Sequence, residues 1–390
     1  MIPLFYLYPR LAQNLPHVSL GEFPTPVHKL TKLGAELGTQ HLYIKRDDLS
    51  ARPYGGNKVR KLEFLLGEAA QREEVNRILS FGYAGSNHTL ATAIYTRALG
   101  LASIAMLLPQ PNAEYVRQNL LVSHAYGAEL HHCRNIVTWL LATGYQLCRC
   151  KIKEGCFPTI ISPGGTSTLG IVGYVNAAFE LKQQIAAGDI PEPDFIYVAL
   201  GSAGTAVGLM LGLKAAQLRT RVVAVAVVPA RLAAMGRIKR LFRVANAFLH
   251  SRDGSFPLIE LSEREIDIRR DYLGAGYGAF TDAGRRAAQL AYTHEGIPLD
   301  GTYTAKALAA LSDDLRKAET RAKVLLFWNT FNSRDLPVGT NQNDYRQLPR
   351  GLHSYFEKDT QTWIEFRRAE TGDRKPETGN RKPETGTCQP

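Results

Sequence analysis

Short apolar runs alternate with longer stretches in which apolar residues return every three or four positions, and this alternation continues from about residue 40 to 330. Leu42 to Lys45, Arg77 to Phe81, Ala102 to Leu108, Thr159 to Ser162, Phe195 to Leu200, Val222 to Val228 and Val324 to Trp328 are brief and rich in β-branched or aromatic residues. Glycine, proline or polar clusters bound each of them, which predicts strands. Between them, Val59 to Ala70 sets Val59, Leu62, Leu66 and Ala69 on one side of a helix. Thr89 to Leu99, Leu169 to Gln184 and Thr205 to Leu218 follow the same period. Such alternation predicts an α/β fold with parallel sheets covered by helices. Ligands of these sheets bind at the carboxyl ends of strands, beside helix N-termini. One basic stretch, Pro229 to Glu265, interrupts the pattern and reads as a solvated surface helix plus loop.

After about Asp335 the character changes. Glu370-Thr371-Gly372, Glu377-Thr378-Gly379 and Glu384-Thr385-Gly386 recur at a seven-residue interval without an apolar seam, so no coiled coil is encoded. Proline, glycine and mixed charge predict a disordered tail over 370–390, preceded by a distinct segment at 336–369.

Composition narrows the class. With 390 residues and 45% hydrophobic content the chain buries a substantial core. Its longest central apolar run, Val222 to Val228, is too short to span a bilayer. Met1 to Arg10 lacks a basic n-region and a small-residue cleavage site, so a cytoplasmic enzyme is expected. The net charge of +11 is spread out, without an interleaved-aromatic nucleic-acid motif, and reads as a basic surface for small anionic ligands. Five cysteines, four of them between Cys133 and Cys156, form no C-x-x-C pair, and neither a disulfide framework nor a metal site is expected.

Candidate chemistry concentrates in Gly55-Gly56-Asn57-Lys58-Val59-Arg60-Lys61, where a lysine follows two glycines at a helix start. Cationic neighbours disfavour the charged form of Lys58 and free its amine as a nucleophile for a carbonyl cofactor. Gly82-Tyr83-Ala84-Gly85-Ser86-Asn87-His88-Thr89 follows a strand and opens a helix, so its backbone N–H groups can hold a carboxylate. Gly201-Ser202-Ala203-Gly204-Thr205 has the same setting and suits a phosphate.

In this order the motifs resemble the fold-type II pyridoxal-phosphate enzymes of the tryptophan synthase β type. The closer resemblance is to the D-cysteine desulfhydrase and 1-aminocyclopropane-1-carboxylate (ACC) deaminase family. It rests on Lys45-Arg46-Asp47-Asp48, the Lys58 segment, Ser86 to Thr89, and Pro163-Gly164-Gly165-Thr166-Ser167. Gly170 to Tyr174, Gly201 to Thr205, Gly276-Tyr277-Gly278 and Asp300 to Ala307 extend it, so that it covers about residues 15 to 335.

The resemblance implies two parallel-sheet α/β lobes with pyridoxal 5'-phosphate in the cleft between them. Residues 1–51 and 163–335 would form the large lobe and 52–162 the small one, in a homodimer acting on an amino acid. It makes Lys58 the Schiff-base lysine and the base at the substrate α-carbon. Asn87 would bond the cofactor's phenolic oxygen and Ser86 the substrate carboxylate. Lys61 with Gly201, Ser202, Ala203, Gly204 and Thr205 would bind the phosphate, Thr330 would meet the pyridine nitrogen, and Tyr277 and Tyr303 would line the substrate pocket. Thr304 after Tyr303 resembles the desulfhydrase pattern, where ACC deaminases carry Glu; this favours α,β-elimination from D-cysteine over ACC deamination. Asn329-Thr330-Phe331-Asn332 departs from the family's His-Thr-Gly-Gly and opens a third reading, a cofactor-binding homologue with little catalysis.

Overall fold

The computed structural model describes residues 2–363 apart from 73, 75, 337, 338 and 340, and contains ten strands among them. They are β1 (Val27–Lys29), β2 (Leu42–Arg46), β3 (Arg77–Tyr83), β4 (Ala102–Leu108), β5 (Glu129–His132), β6 (Thr159–Ile161), β7 (Phe195–Leu200), β8 (Arg221–Ala226), β9 (Asp267–Arg269) and β10 (Leu325–Asn329). Six make one sheet in the order β1-β2-β10-β7-β8-β9; the other four make a second in the order β5-β4-β3-β6. All pairings are parallel except β1 with β2. The seven strands expected from apolar runs are all present, within a residue or two at their ends. The three that the pattern did not predict are β1, β5 and β9, each an edge strand of three or four residues with charged or histidine side chains. Such strands bury one side at most, so no apolar run marks them.

The four expected helices form as Lys58–Ala70, Asn87–Ala98, Thr168–Ala186 and Gly204–Ala215. The basic stretch corrects the expectation of a solvated excursion. Met235–Arg252 is a helix whose Ile238, Phe242, Ala245 and Leu249 are buried in the main core, packed on Thr168–Ala186 and Gly204–Ala215. Residues 341–363 fold back on the four-stranded sheet's side of the molecule, where Leu348, Leu352 and Tyr355 are buried with Val116, Leu120 and Leu130. The repeat tail at 370–390 lies outside the described residues.

A buried polar network ties these elements together. The Arg60 guanidinium donates to both oxygens of Asp47 (2.7 and 3.0 Å) and to both of Glu180 (2.8 and 2.9 Å). Lys45 Nζ donates to Glu180 at 2.6 Å and to the Thr25 carbonyl at 2.7 Å. Asp47 also accepts from the Tyr174 hydroxyl and the Trp328 indole, at 2.6 and 2.7 Å. Helix Lys58–Ala70 is thereby joined to β2, β10 and helix Thr168–Ala186. Burial would raise the Glu180 pKa, but Arg60 and Lys45 overrule it and hold the carboxyl at about 2.

Removing one partner leaves a buried charge uncompensated, so Glu180→Gln is expected to cost about 3–5 kcal/mol in urea unfolding at neutral pH. The folded value of about 2 lies below the ordinary 4.5. The Glu180 contribution is therefore whole above 4.5 and lost as pH falls through about 2, and the difference between wild type and variant should shrink only in that window.

Candidate active site

Lys58 is the first residue of its helix, and helical periodicity puts Lys61 on the same face and Arg60 on the opposite one. Lys58 Nζ donates to Asn57 Oδ1 at 2.9 Å, and Asn57 Nδ2 donates to Thr205 Oγ1 at 3.1 Å. The Asn57 N–H reaches the Thr330 carbonyl at 3.1 Å. Gly56 turns the chain here with φ +95°, and a Cβ on it would lie 3.0 Å from the Phe331 carbonyl oxygen. Only glycine fits that turn without strain. Asn332 Oδ1 accepts the Gly55 N–H at 2.7 Å, so the segment that departs from the family pattern is bonded directly to the lysine-bearing turn.

A cavity of about 450 Å³ opens over these residues. Lys58, Lys61, Ser86, Asn87, Gly201, Ser202, Ala203, Thr205, Tyr277, Tyr303 and Thr330 all line it. Gly204 stands just behind; a Cβ there would come 3.0 Å from Lys61 Nζ and 2.7 Å from Thr166 Oγ1. Lys61 Nζ donates to the Gly164 carbonyl at 3.1 Å. The helix beginning at Gly204 has no side-chain cap and no acidic residue in its first turn, and Ala203 before it is left-handed with φ +74°. Its N-terminal N–H groups and the Lys61 ammonium thus share one glycine-lined corner, suited to an anion.

The cavity's charge is unbalanced. Burial lowers the Lys58 pKa to about 8, with the Asp300 charge working against it. This corrects the reason expected from sequence: Arg60 is engaged by Asp47 and Glu180 on the far side, and desolvation lowers the lysine. Burial and the Lys58 charge hold Lys61 well below its ordinary value. Burial and both lysine charges depress His88 likewise, with the Ser162 backbone pulling the other way, and neither ring nitrogen meets a partner at full hydrogen-bond geometry. One carboxylate faces this group. Asp300 is buried, with its pKa raised by burial, and accepts from the Thr302, Tyr303 and Thr304 N–H groups and the Thr304 hydroxyl.

On the other side, Ser86 caps helix Asn87–Ala98, its Oγ accepting from the His88 and Thr89 N–H groups at 3.2 and 3.3 Å. Its hydroxyl hydrogen remains for another acceptor. Asn119 Nδ2 donates to Asn87 Oδ1 at 2.9 Å, which leaves the Asn87 amide N–H to donate. The Tyr277 and Tyr303 hydroxyls meet at 2.5 Å, and Tyr277 stacks on Tyr83 with centroids 4.2 Å apart. Burial pushes both phenol pKa values up, so both are neutral at physiological pH.

Sequence reasoning quoted Asn57, His88 and Asp300 within motifs without assigning them a part, and it missed Asn119 entirely. Arg237, at the start of the basic helix, also lines the cavity, together with Val228 and Leu232. Thr304 does not line it. Its side chain is fully buried and bonded to Asp300 at 2.8 Å, so it acts on the site through that carboxylate. Gln361, near the end of the described chain, latches the tyrosine loop. It accepts from the Phe280 N–H at 3.0 Å and donates to the carbonyls of Gly278 (3.1 Å) and Asn112 (3.2 Å).

Residues 18–330 match the family described as "Pyridoxal-phosphate dependent enzyme". The chain belongs to that family. Within it, this pyridoxal-phosphate dependent enzyme is 33% identical over 319 residues to a putative 1-aminocyclopropane-1-carboxylate deaminase of Pyrococcus abyssi, covering 81% of this chain and 91% of that one. It is 34% identical over 311 residues to a D-cysteine desulfhydrase of Salmonella choleraesuis, covering 77% and 89%. A solved ACC deaminase homologue superposes with a TM-score of 0.71 at 31% identity, over 85% of this chain and 95% of that one. The enzyme is therefore of the ACC deaminase/D-cysteine desulfhydrase group, with the α/β fold of the tryptophan synthase β type. The family's cofactor, pyridoxal 5'-phosphate, carries an anionic phosphate. The excess of cationic groups, the buried His88 imidazole and the glycine-lined corner at Lys61 fit it.

The depressed Lys58 pKa has a measurable consequence in cofactor-free protein. Its folded value of about 8 lies below the ordinary 10.5, so the unfolded chain binds more protons between those values and stability rises with pH there. Lys58→Met is expected to stabilise the cofactor-free protein at pH 7. The gain should be on the order of 1–3 kcal/mol by urea unfolding, discounted because one side of the half-buried lysine faces the cavity. It should shrink as pH rises from 8 toward 10.5.

Proposed function

We propose that the protein is a D-cysteine desulfhydrase-like lyase that converts D-cysteine and water to pyruvate, ammonia and hydrogen sulfide. One observation carries this reading: two neutral phenols joined at 2.5 Å stand in the same cavity as an amine whose pKa is about 8. Bound in the cavity, pyridoxal 5'-phosphate supplies the electron sink that makes the α-proton of an amino acid removable.

The rest falls to this chain's residues. Lys61 and Gly201 to Thr205 hold the phosphate at an uncapped helix N-terminus. Asn87, with its oxygen fixed by Asn119, and Thr330 orient the ring. Ser86 and the first turn of helix Asn87–Ala98 hold the substrate carboxylate, where the helix end favours negative charge. The Lys58 amine is partly neutral near pH 7 and takes the α-proton, its pKa matched to such a transfer. Tyr277 and Tyr303 hold a proton between them, available to the sulfur as the bond from the β-carbon breaks. In this reading residues 52–162 form one lobe, residues 1–51 with 163–335 the other, and the reaction takes place between them.

ACC deamination is the second reading, favoured by the likeness to a solved ACC deaminase homologue. Against it stands Thr304, which offers a hydroxyl to Asp300 where a glutamate would add a second buried carboxylate. The bonds from Asn332 to Gly55 and from Asn57 to Thr330 hold the divergent loop against the lysine turn, which weakens the reading of a homologue with little catalysis.

The test is product release from D-cysteine, L-cysteine, D-serine and ACC. Pyruvate and sulfide should appear fastest from D-cysteine. Lys58→Ala should lower turnover roughly 10³-fold or more and Tyr303→Phe about 10²-fold. Faster release of 2-oxobutanoate from ACC than of sulfide from D-cysteine would reverse the order, and full turnover by Lys58→Ala would defeat the mechanism.

A further inference from the structure

The basic stretch has a chemical side that the proposed reaction leaves unused. From Pro229 to Arg252 it carries six lysines and arginines and no acidic residue. Ile238, Phe242, Ala245 and Leu249 fix its helix in the core, so the platform is rigid and its charge faces outward. Arg237, in the first turn, lines the cavity. Among the lining residues Ile136, Pro163 and Arg237 are the exposed ones, so they mark the cavity mouth. Lys239, two residues on, is paired with Glu263 at 3.0 Å. The Arg237 guanidinium has no hydrogen-bond or ion-pair partner among the described residues.

The cavity is graded from its buried end to this mouth. The glycine-lined corner at Lys61 and the capped helix start at Ser86 take two anionic groups at the buried end, the cofactor phosphate and the substrate carboxylate. Asp300 is the one acidic residue in the lining, and it is buried. The loop that leads to Arg237 contributes Val228 and Leu232, both apolar. It is held in shape by bonds from the Leu232 and Ala233 N–H groups to the Pro229 carbonyl, at 2.9 and 3.3 Å. An amino acid held deep in the cavity by its carboxylate and its amino group can turn only its β-substituent toward the mouth. Such a substituent passes an apolar wall and then meets one unpaired cation, in a field that neighbouring arginines make positive.

We propose that Arg237 binds a carboxylate at the far end of that substituent, so that the enzyme takes thioethers of D-cysteine with an acidic tail. This rests on the elimination chemistry proposed above and extends it to a larger leaving group. Lys58 takes the α-proton, the bond from the β-carbon to sulfur breaks, and the electron pair leaves on sulfur. The Tyr277 and Tyr303 pair supplies the proton that makes it a thiol. The remaining three-carbon unit takes up water and gives pyruvate and ammonia. One thioether and one water thus become one acidic thiol, one pyruvate and one ammonia. Arg237 touches only the tail and decides which thioethers are held.

The test compares S-carboxymethyl-D-cysteine with S-carbamoylmethyl-D-cysteine, which has the same shape without the charge. Each is titrated into full-length, cofactor-loaded protein, with cofactor absorbance as the measure of binding. Wild type should bind the acid about five- to ten-fold more tightly than the amide, and added salt should shrink the difference. Arg237→Lys should keep a preference for the acid and Arg237→Glu should reverse it. The ratio cancels any general weakening of a variant. Equal binding of the two by wild type, no response to either, or a preference for the acid that survives in Arg237→Glu would overturn the proposal. Sulfide release from D-cysteine, followed in parallel, separates the two readings. Sulfide without an acid preference removes the role of Arg237 alone. An acid preference that Arg237→Glu reverses, without sulfide, upholds the anion site and defeats the D-cysteine reading.

Discussion

The position of Lys58 depends on a charge that never meets the cofactor cavity. Arg60 is two residues further along the same helix and is sunk between Asp47 and Glu180. A helix turns about 100° per residue, so fixing Arg60 inward on one side fixes Lys58 and Lys61 outward on the other. The ion network therefore sets the rotation of the helix as well as its place. It also joins β2, β10 and helix Thr168–Ala186, and Asn57 and Thr330 beside the lysine come from segments attached to the same elements. An error of rotation here would turn the Lys58 amine into the protein, whatever the rest of the cavity offered.

The cavity itself is built as an incomplete electrostatic set. Two lysines and an imidazole are desolvated together, and Asp300 is the carboxylate that faces them. Folding alone gains nothing from this arrangement, because burial disfavours each cationic form. It becomes favourable when an anion enters. Such a set favours an anionic ligand over a neutral one, which is a form of preorganisation.

Much of the fold was legible because parallel strands buried on both faces read as plain apolar runs, as in Val222 to Val228 and Ala102 to Leu108. The edge strands β1, β5 and β9 carry no such signal, and the register of the basic helix could not be separated from a solvated one by charge alone. The helix Met235–Arg252 shows why: its buried Ile238, Phe242, Ala245 and Leu249 are interleaved with arginines and lysines. The residues proposed for the site were legible through motif order, and all but Gly204 line one cavity. What sequence could not supply was the reason for the Lys58 pKa, the fixing of Asn87 by Asn119, and the indirect reach of Thr304. Each depends on a partner brought from a distant segment or on the direction of a side chain. The glycines replaced by Phe331 and Asn332 looked like damage from sequence, yet the Asn332 side chain bonds the lysine turn itself.

Gln361 lies beyond residue 330, where the family match ends, yet it bonds Asn112 beside one sheet and the tyrosine loop at Gly278 and Phe280 beside the other. The segment that carries it is held independently to Asn112 and Arg117 through the Tyr355 and Lys358 carbonyls, so its anchorage does not depend on the tyrosine loop. The loop that carries Tyr277 is thus braced from outside the family match, by a side chain that does not itself line the cavity.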